Sequence, residues 1–159
     1  MKARIADLYD LSNTIAAPLL RRFEYPWEAL AHIKEFILEL GPTLPTDEFD
    51  NPAEGVWIAK DATVYDSAYI GSPLIIDHGA EVRHCAFLRC PAIVGKGAVV
   101  GNSTELKNVI IFDKAQVPHY NYVGDSILGF GAHMGAGAIT STLLESLLES
   151  LLESLLESL

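Results

Sequence analysis

A six-residue repeat of branched aliphatic residues is the feature of this sequence that most constrains its fold. The unbroken run comprises Ile58, Val64, Ile70, Ile76, Val82, Leu88, Val94, Val100 and Leu106. A small residue follows four positions after nearly every one of them. A period of six fits neither an α-helix, with about 3.6 residues per turn, nor a lone strand, with a period of two. It predicts a solenoid in which each hexad forms a short strand and a corner, and three hexads complete one triangular coil.

The repeat shortens at two places. Ile111 follows Leu106 after five residues, and Leu128 follows Val123 after five residues. Each shortened spacing predicts a tighter corner in an otherwise regular wall. Local irregularity on a regular scaffold is where functional sites tend to lie. We therefore expect functional side chains near these two corners.

Residues 1–50 show a different pattern, which predicts a helical region with a linker. Pro26 and the acid at Glu28 are typical of a helix start, and apolar residues then keep helical spacing as far as Leu40. The stretch from Gly41 to Gly55 is rich in proline and acids and is interpreted as the linker. We expect these helices to pack on the first coil and to cover its open end.

The C-terminal residues 142–159 are dominated by a Leu-Leu-Glu-Ser tetrapeptide that repeats four times from Leu143. This strict repeat is typical of an engineered segment or of a tandem-repeat expansion. Leucine and glutamate favour helix, so the pattern predicts a C-terminal α-helix. Four glutamates would each enter the bilayer at a cost of about 2–3 kcal/mol, which argues against a membrane span.

Composition narrows the partners and the compartment. The formal net charge of −10 argues against nucleic acid as a partner, because phosphate backbones require clusters of Lys and Arg. The N-terminus lacks the apolar core of a signal peptide. Cys85 and Cys90 match neither a disulfide framework nor a zinc pattern, so we interpret them as buried free thiols. The chain is expected to be cytoplasmic, with no membrane partner.

One segment near the two shortened spacings carries a family resemblance. The segment 117–125 contains the pattern His-x-x-Tyr-x-Gly-Asp, and Gly135-Ala136-Gly137-Ala138-Ile139-Thr140 follows it. With the repeats of residues 56–141, it resembles the acetyltransferase domain of the bifunctional bacterial N-acetylglucosamine-1-phosphate uridyltransferase/glucosamine-1-phosphate acetyltransferases. It is also similar to their shorter, nucleotidyltransferase-like relatives. The resemblance implies a left-handed parallel β-helix that assembles as a homotrimer with active sites between subunits. Together with the α-helices that the sequence pattern predicts at the N- and C-termini, it gives a mainly β fold class.

The same resemblance implies roles for individual residues. His119 would be the general base that takes a proton from the sugar amine as the amine attacks the thioester of acetyl-CoA, the co-substrate. Tyr122 would bind the sugar phosphate by a hydrogen bond, and the Ala136 N–H would bind the oxyanion. Arg89 and Lys107 fall where the family places its phosphate-binding cations, although both also fit exposed, solvated side chains.

The sequence also departs from the family pattern. His133, a candidate substrate-binding residue, stands where the family has asparagine. The coils that build the acetyl-CoA groove and the uridyltransferase half are missing from the sequence. We therefore expect a truncated sugar-phosphate N-acetyltransferase-like protein that is inactive by itself and binds no cofactor. An alternative interpretation is an engineered trimeric scaffold, a β-helix fused to an artificial helix, with no catalytic role.

A second enzyme class also uses trimeric left-handed β-helices. The γ-type carbonic anhydrases bind zinc with three histidines across the subunit interface. His84 and His119 are nearly two coils apart and could lie on one wall. Glycine occupies position 124, where a third histidine would be expected. The sequence therefore favours the acyltransferase interpretation and predicts no metal site.

Overall fold

The protein is mainly β within residues 3–140, the part of the chain that the computed structural model describes. A group of short helices comes first and a parallel β-solenoid follows. The predicted helix at residues 142–159 lies outside the described residues. No helix in the described range is both long enough and apolar enough to cross a membrane.

The helical segment comprises four short helices joined by tight turns. They are α1 (Ile5–Leu8), α2 (Ala17–Leu20), α3 (Pro26–Leu30) and α4 (Ile33–Leu40), with 3₁₀ turns at Leu11–Asn13 and Gly41–Thr43. The helical pattern that begins at Pro26 is thus divided between α3 and α4. Trp27 is 57% exposed and stacks on Tyr25 with ring centroids 4.8 Å apart. Because the helix breaks between α3 and α4, Trp27 does not lie on the buried face that continues along α4.

Twelve strands follow the helices. They are β1 (Phe49–Ala53), β2 (Val56–Ala59), β3 (Thr63–Val64), β4 (Tyr69–Ile70), β5 (Leu74–Ile76), β6 (Glu81–Val82), β7 (Phe87–Leu88), β8 (Ala92–Val94), β9 (Val99–Asn102), β10 (Glu105–Ile111), β11 (Gln116–His119) and β12 (Tyr122–Leu128). From β2 onward every pairing is parallel, and successive partners on a wall come from successive coils. This is the coil geometry that the six-residue repeat predicts.

The strands form three walls. The first wall contains β2, β5, β8 and the C-terminal halves of β10 and β12. The second wall contains β3, β6, β9 and β11. The third wall contains β4, β7 and the N-terminal halves of β10 and β12. The three walls of parallel strands enclose a triangular prism, and the predicted fold class, a mainly β protein with a parallel β-helix, is confirmed.

The repeat residues fill the interior of the prism. Aliphatics from Ile76 to Leu106 are fully buried in one cluster, and Ile58, Val64 and Ile70 pack against it from the first coil. The small residues that accompany them, such as Ala80 and Ala98, are buried in the same cluster. Burial of apolar area at about 25 cal/mol per Å² makes this interior the main source of solenoid stability.

The two shortened corners lie one above the other between the third and first walls. Here β10 and β12 run through the corner as single seven-residue strands, paired with each other on both sides of it. Asn108 and Asp125 occupy the corner in left-handed backbone conformation, with φ values of 55° and 45°. Asparagine and aspartate tolerate this conformation better than most residues. The two shortened corners therefore bring polar side chains to one edge of the prism.

The helical segment covers the first wall, so the expectation that it covers the open end of the first coil is wrong. Its buried residues, including Leu20 and Ile37, pack on outward-facing Ile75, Ile93 and Ile110 from three successive coils. Those isoleucines alternate with the inward aliphatics, so the first wall is apolar on both faces. Only a second layer can bury its outer face.

The predicted linker also contains more structure than expected. The strand β1 lies inside the stretch 41–55 and pairs antiparallel with β2. Phe49 at its start is 7% exposed and belongs to the same cluster as the helices. The stretch therefore fastens the helical segment to the first coil.

The cysteines are both free, but only one is buried. Cys90 is 8% exposed, and burial raises the pKa of its thiol to about 12. Cys85 is exposed, so the prediction of burial is wrong for this residue. It sits at a corner with a φ of 58°, where the backbone turns the side chain outward.

Candidate functional site

The predicted phosphate-binding cations lie in one column on the third wall. Leu88 pairs with Leu106, and Lys107 pairs with Gly124, so Arg89, Lys107 and Gly124 follow one another in successive coils. The Arg89 N–H donates to the Leu106 carbonyl at 2.9 Å, which fixes the register next to Lys107. The structure thus brings the two cations together at the edge that carries the shortened corners.

Each of these cations is paired with a carboxylate. Arg89 Nη1 lies 3.3 Å from Glu105 Oε1, and Lys107 Nζ lies 3.0 Å from Asp125 Oδ2. Asn108 Nδ2 donates to the other oxygen of Asp125 at 2.8 Å. Both ion pairs are partly exposed, and pairs of this kind contribute only about 0–1 kcal/mol. An arriving phosphate can therefore compete for either cation.

Tyr122 lies in the neighbouring column, where it pairs with Glu105 two residues before Gly124. A Cβ on Gly124 would stand 2.6 Å from the Tyr122 hydroxyl oxygen, so the tyrosine ring lies over the glycine backbone. Gly124 in turn pairs with Lys107. The absence of a side chain at residue 124 places the phenol hydroxyl beside the Lys107–Asp125 pair.

His119 lies at the corner between the second and third walls, at the end of β11. Its imidazole is exposed, and its backbone N–H donates to Asn121 Oδ1 at 3.1 Å. Asn121 is only 3% exposed and donates through Nδ2 to the carbonyls of Gly135 and Ala138, at 2.7 and 3.2 Å. The buried amide therefore ties the corner that carries His119 to the next coil.

Ala136 and His133 belong to that next coil. The Gly137 N–H donates to the His119 carbonyl at 3.2 Å, so Ala136 lies at the corner directly above His119. The Ala136 N–H makes no hydrogen bond to any described residue. His133 bridges to Gln116 on the second wall and is exposed, with Gln116 lying three residues before His119. His133 thus lies on the second wall and Tyr122 on the third, and His119 and Ala136 lie at the corner between these walls.

The two histidines of the zinc alternative occupy one corner column. His119 pairs with Asn102, and the Ser103 N–H donates to the His84 carbonyl at 3.2 Å, so the histidines lie two coils apart with Asn102 in the coil between them. His84 instead contacts Ser67 and packs against Tyr65, with ring centroids 4.2 Å apart and ring planes tilted by 51°. Within residues 3–140 no group of three or more His, Cys, Asp or Glu side chains is arranged to hold a metal ion.

Three of the clefts on the described surface have volumes of about 280–390 Å³, and none of these three is lined by a residue of the His119 and Lys107 region. They lie in or beside the helical segment or next to Gly55 and Pro73. The family-derived residues sit on an open wall of a single chain. A wall of this kind becomes concave only when another surface faces it.

Sequence reasoning missed the acids at the site. Glu105 and Asp125 determine how strongly Arg89 and Lys107 can attract an anion, and Asn121 holds the His119 corner. A signal for Asp125 was present, because it follows Lys107 by 18 residues and thus lies one position past Gly124, the residue one coil beyond Lys107. Residues one coil apart stack on a solenoid wall, so opposite charges at that spacing predict an ion pair.

Comparison with known proteins places the chain near bacterial bifunctional proteins. It is 46% identical over 66 residues to Bifunctional protein GlmU of Chelativorans sp. (strain BNC1), which covers 42% of this chain and 14% of the relative. It is 30% identical over 121 residues to Bifunctional protein GlmU of Jannaschia sp. (strain CCS1), which covers 65% of this chain and 27% of the relative. The chain thus spans less than a third of the length of either relative. No protein-family model matches the sequence.

A solved structure shares the fold. The acetyltransferase domain of PglB from Neisseria gonorrhoeae FA1090, in complex with acetyl coenzyme A, aligns with a TM-score of 0.50 and 30% identity. The match covers 52% of this chain and 41% of that domain. The resemblance to hexapeptide-repeat acetyltransferases is confirmed, and the solenoid is homologous to part of the GlmU proteins.

Proposed function

We propose that this β-helix is a sugar-phosphate N-acetyltransferase-like module that holds the acceptor phosphate on the third wall. The observation that carries the proposal is the column of Arg89, Lys107 and Gly124, with the Tyr122 hydroxyl beside it. Two cations at adjacent positions suit a phosphoryl group, and a phenol hydroxyl supplies one directed hydrogen bond. The homology to GlmU and to an acetyltransferase domain supports this assignment over other uses of the fold.

The chemistry proposed for His119 is general-base catalysis. A neutral imidazole takes a proton from the attacking amine as the new bond forms. The imidazole makes no hydrogen bond to another described residue, so a substrate amine can reach it. Ala136 at the corner above offers a backbone N–H to the oxyanion that forms when the amine attacks the thioester of acetyl-CoA.

The proposal includes negligible turnover by this chain alone. His119, Tyr122 and Ala136 lie on an open surface, and none of the three clefts described above adjoins them. Positioning of two reactants can supply roughly 7–11 kcal/mol of a barrier. We expect this contribution to be lost, because none of these three clefts places acetyl-CoA beside His119.

Thiol release from acetyl-CoA, measured with glucosamine 1-phosphate as acceptor, tests the catalytic part of the proposal. We expect the full chain to give a rate equal to that of the buffer, and His119→Ala to leave that rate unchanged. Turnover clearly above background that His119→Ala abolishes would show that the donor site is more complete than proposed. Turnover that survives His119→Ala would assign the base elsewhere.

We further propose a homotrimer in which the third wall faces a neighbouring subunit. Tyr69 and Ile139 are 62% and 69% exposed on this wall, and Tyr69 meets Phe87 edge to face with centroids 5.2 Å apart. Contiguous exposed apolar side chains on one face are typical of an interface, and closed symmetry would cover them in every subunit. The helical segment leaves this wall free because it packs on the first wall.

Light scattering tests the trimer. We expect the mass of three chains at micromolar concentration, and a shift toward monomer for the double variant Tyr69→Glu/Phe87→Glu, because carboxylates on the apolar wall must be desolvated. Trp27→Glu is the matched control, since Trp27 is equally exposed but belongs to the helical segment. A monomeric wild-type chain, or equal masses for the double variant and the wild type, would contradict the proposed interface.

A second candidate function is an engineered trimeric scaffold with no catalytic role. The strict Leu-Leu-Glu-Ser repeat of residues 143–158 favours it. The two candidates differ in one observable, because a scaffold has no need to retain sugar-phosphate affinity. Specific binding of glucosamine 1-phosphate therefore distinguishes them.

A further inference from the structure

A cleft far from the third wall contains a buried carboxylate without a partner. The cleft has a volume of about 280 Å³ and lies where the N-terminal segment meets the corner between the first and second walls. Thr14 lines it from the helical side, and Glu48 lines it from the residues just before β1. Asp77, Lys96 and Asp113 line it from three successive coils.

Asp77 is the unusual residue of this cleft. It is 1% exposed, and its Oδ1 accepts the His78 N–H at 2.8 Å. Its Oδ2 has no hydrogen-bond partner among the described residues. Asp77 follows the inward Ile76, so strand alternation directs its side chain outward, to the side where the cleft lies. A buried acceptor without a donor is rare in folded proteins and is costly to leave unpaired.

The neighbouring coil leaves room beside Asp77. Gly95 follows it in the same column, and a Cβ there would stand 2.7 Å from Asp113 Oδ1. Asp113 folds over this glycine and accepts the Lys96 N–H at 2.9 Å. Two carboxylates from alternate coils therefore line one cleft, with a glycine between them.

The charges around the cleft leave it negative. His78 is held by Asp61 at 2.9 Å and by Glu48 at 3.2 Å. Partial burial alone would lower the pKa of His78, but these two hydrogen bonds raise it overall. When His78 is protonated, it is the cationic partner of Glu48. Lys96 is then the cation left to balance Asp77 and Asp113.

Burial raises the pKa of Asp77, and the charge of Asp113 adds to this rise. The His78 N–H and the charges of Lys96 and His78 oppose it. A cation that enters the cleft would favour the charged form of Asp77 and supply the donor that its Oδ2 lacks.

We propose that this cleft binds a small organic ammonium ion, with Asp77 as the residue that accepts its N–H. At roughly 30 Å³ for a water-sized group, the volume accommodates a ligand of about nine non-hydrogen atoms. A metal ion is disfavoured because the described residues hold no cluster of three ligating side chains arranged for one. The apolar side chains of Ile15, Leu44 and Phe49 also line the cleft and suit a short carbon chain, and Ser12 suits one further polar group. The inference does not depend on the function proposed above.

Backbone amide NMR of the full-length, deuterated chain tests the site, with ethanolammonium as the probe at low ionic strength and neutral pH. We expect saturable shifts of the Asp77, His78 and Lys96 amides. Ethylene glycol has the same size but no charge. The apparent affinity obtained from its shifts should be at least tenfold weaker than that of ethanolammonium. Equal affinity for ethylene glycol, saturable shifts with calcium chloride alone, or no saturable shift with ethanolammonium would each overturn the proposal.

Two variants are expected to change the ethanolammonium affinity in opposite directions. Asp77→Asn keeps the shape of the side chain and removes its charge, so ethanolammonium affinity should fall at least tenfold. Lys96→Glu removes the balancing cation and should raise affinity severalfold. Asp66→Asn, an exposed acid at another corner, should leave affinity unchanged. If Asp77→Asn does not fold, unchanged or weaker binding by Lys96→Glu is sufficient to overturn the proposal.

Discussion

Val100→Asp is expected to prevent folding of the chain. Val100 is fully buried in the interior of the prism, between Val82 and Val117 of the adjacent coils. All neighbouring side chains in that cluster are apolar or small, so a carboxylate would have no partner there. An unpaired buried carboxylate costs several kcal/mol, compared with a total stability of about 5–15 kcal/mol for a domain. We expect insoluble protein, or a soluble chain without a cooperative thermal transition by circular dichroism.

The neighbouring Val99 supplies a matched control. It lies on the same strand but points to the outer face of the second wall, where it is partly exposed. Val99→Asp makes the same substitution at a solvent-accessible position, so we expect the chain to fold. Its free energy of unfolding should fall by only about 1 kcal/mol, because aspartate has a lower strand preference than valine. A soluble Val100→Asp variant with a cooperative transition near that of Val99→Asp would contradict the inward assignment of the repeat.

Gly101→Ala should cause the second large loss of stability. A Cβ at residue 101 would overlap the backbone carbonyl of Pro118 in the next coil. Backbone cannot rotate away as a side chain does, so two coils of the second wall would have to separate. Overpacking costs typically about 1–3 kcal/mol, and a backbone clash lies at the upper end of that range. For a chain of this size, about 3 kcal/mol lowers Tm by roughly 6–12 °C.

Gly135→Ala is the control for this prediction. Gly135 occupies the same column one coil beyond Pro118, and a Cβ there meets no atom of residues 3–140 within 4 Å. We expect its Tm to equal that of the wild type or to rise slightly, because alanine restricts the unfolded chain more than glycine does. Equal melting temperatures for the two variants would show that the coils at residues 101 and 118 are not in contact.

The solenoid could be predicted from the sequence because its interior obeys a single period. One aliphatic per hexad, such as Val94 or Val100, is enough to fix which face of each strand points inward. The position of the helices was not predicted because that rule ignores the outward residues. Ile75 and Ile93 are also apolar, and they mark the first wall as covered on both sides.

The candidate site could be predicted only in part, for a related reason. The motif around His119 and Tyr122 is local in sequence, so resemblance alone identified it. The carboxylates that pair with Arg89 and Lys107 come from the next coil, and their effect depends on which residues stack. Asp77 was not singled out at all, because nothing in its local sequence shows that Gly95 and the helical segment enclose it.

The central claim is that the third wall binds the phosphate of a sugar phosphate. Two reciprocal variants follow from the Lys107–Asp125 pair. Lys107→Gln removes a cation, whereas Asp125→Asn removes its competitor and keeps a residue that tolerates the left-handed conformation at φ 45°. Lys114→Gln is the control, because Lys114 lies at another corner and contacts Phe130.

Calorimetric titration of glucosamine 1-phosphate into the full chain measures this claim most directly. We predict saturable binding of glucosamine 1-phosphate to the wild-type chain and no binding of glucosamine. The affinity for glucosamine 1-phosphate should fall about tenfold in Lys107→Gln, which corresponds to about 1.4 kcal/mol. It should rise in Asp125→Asn and stay unchanged in Lys114→Gln. No binding to the wild-type chain, or equal affinities in Lys107→Gln and Lys114→Gln, would contradict the account.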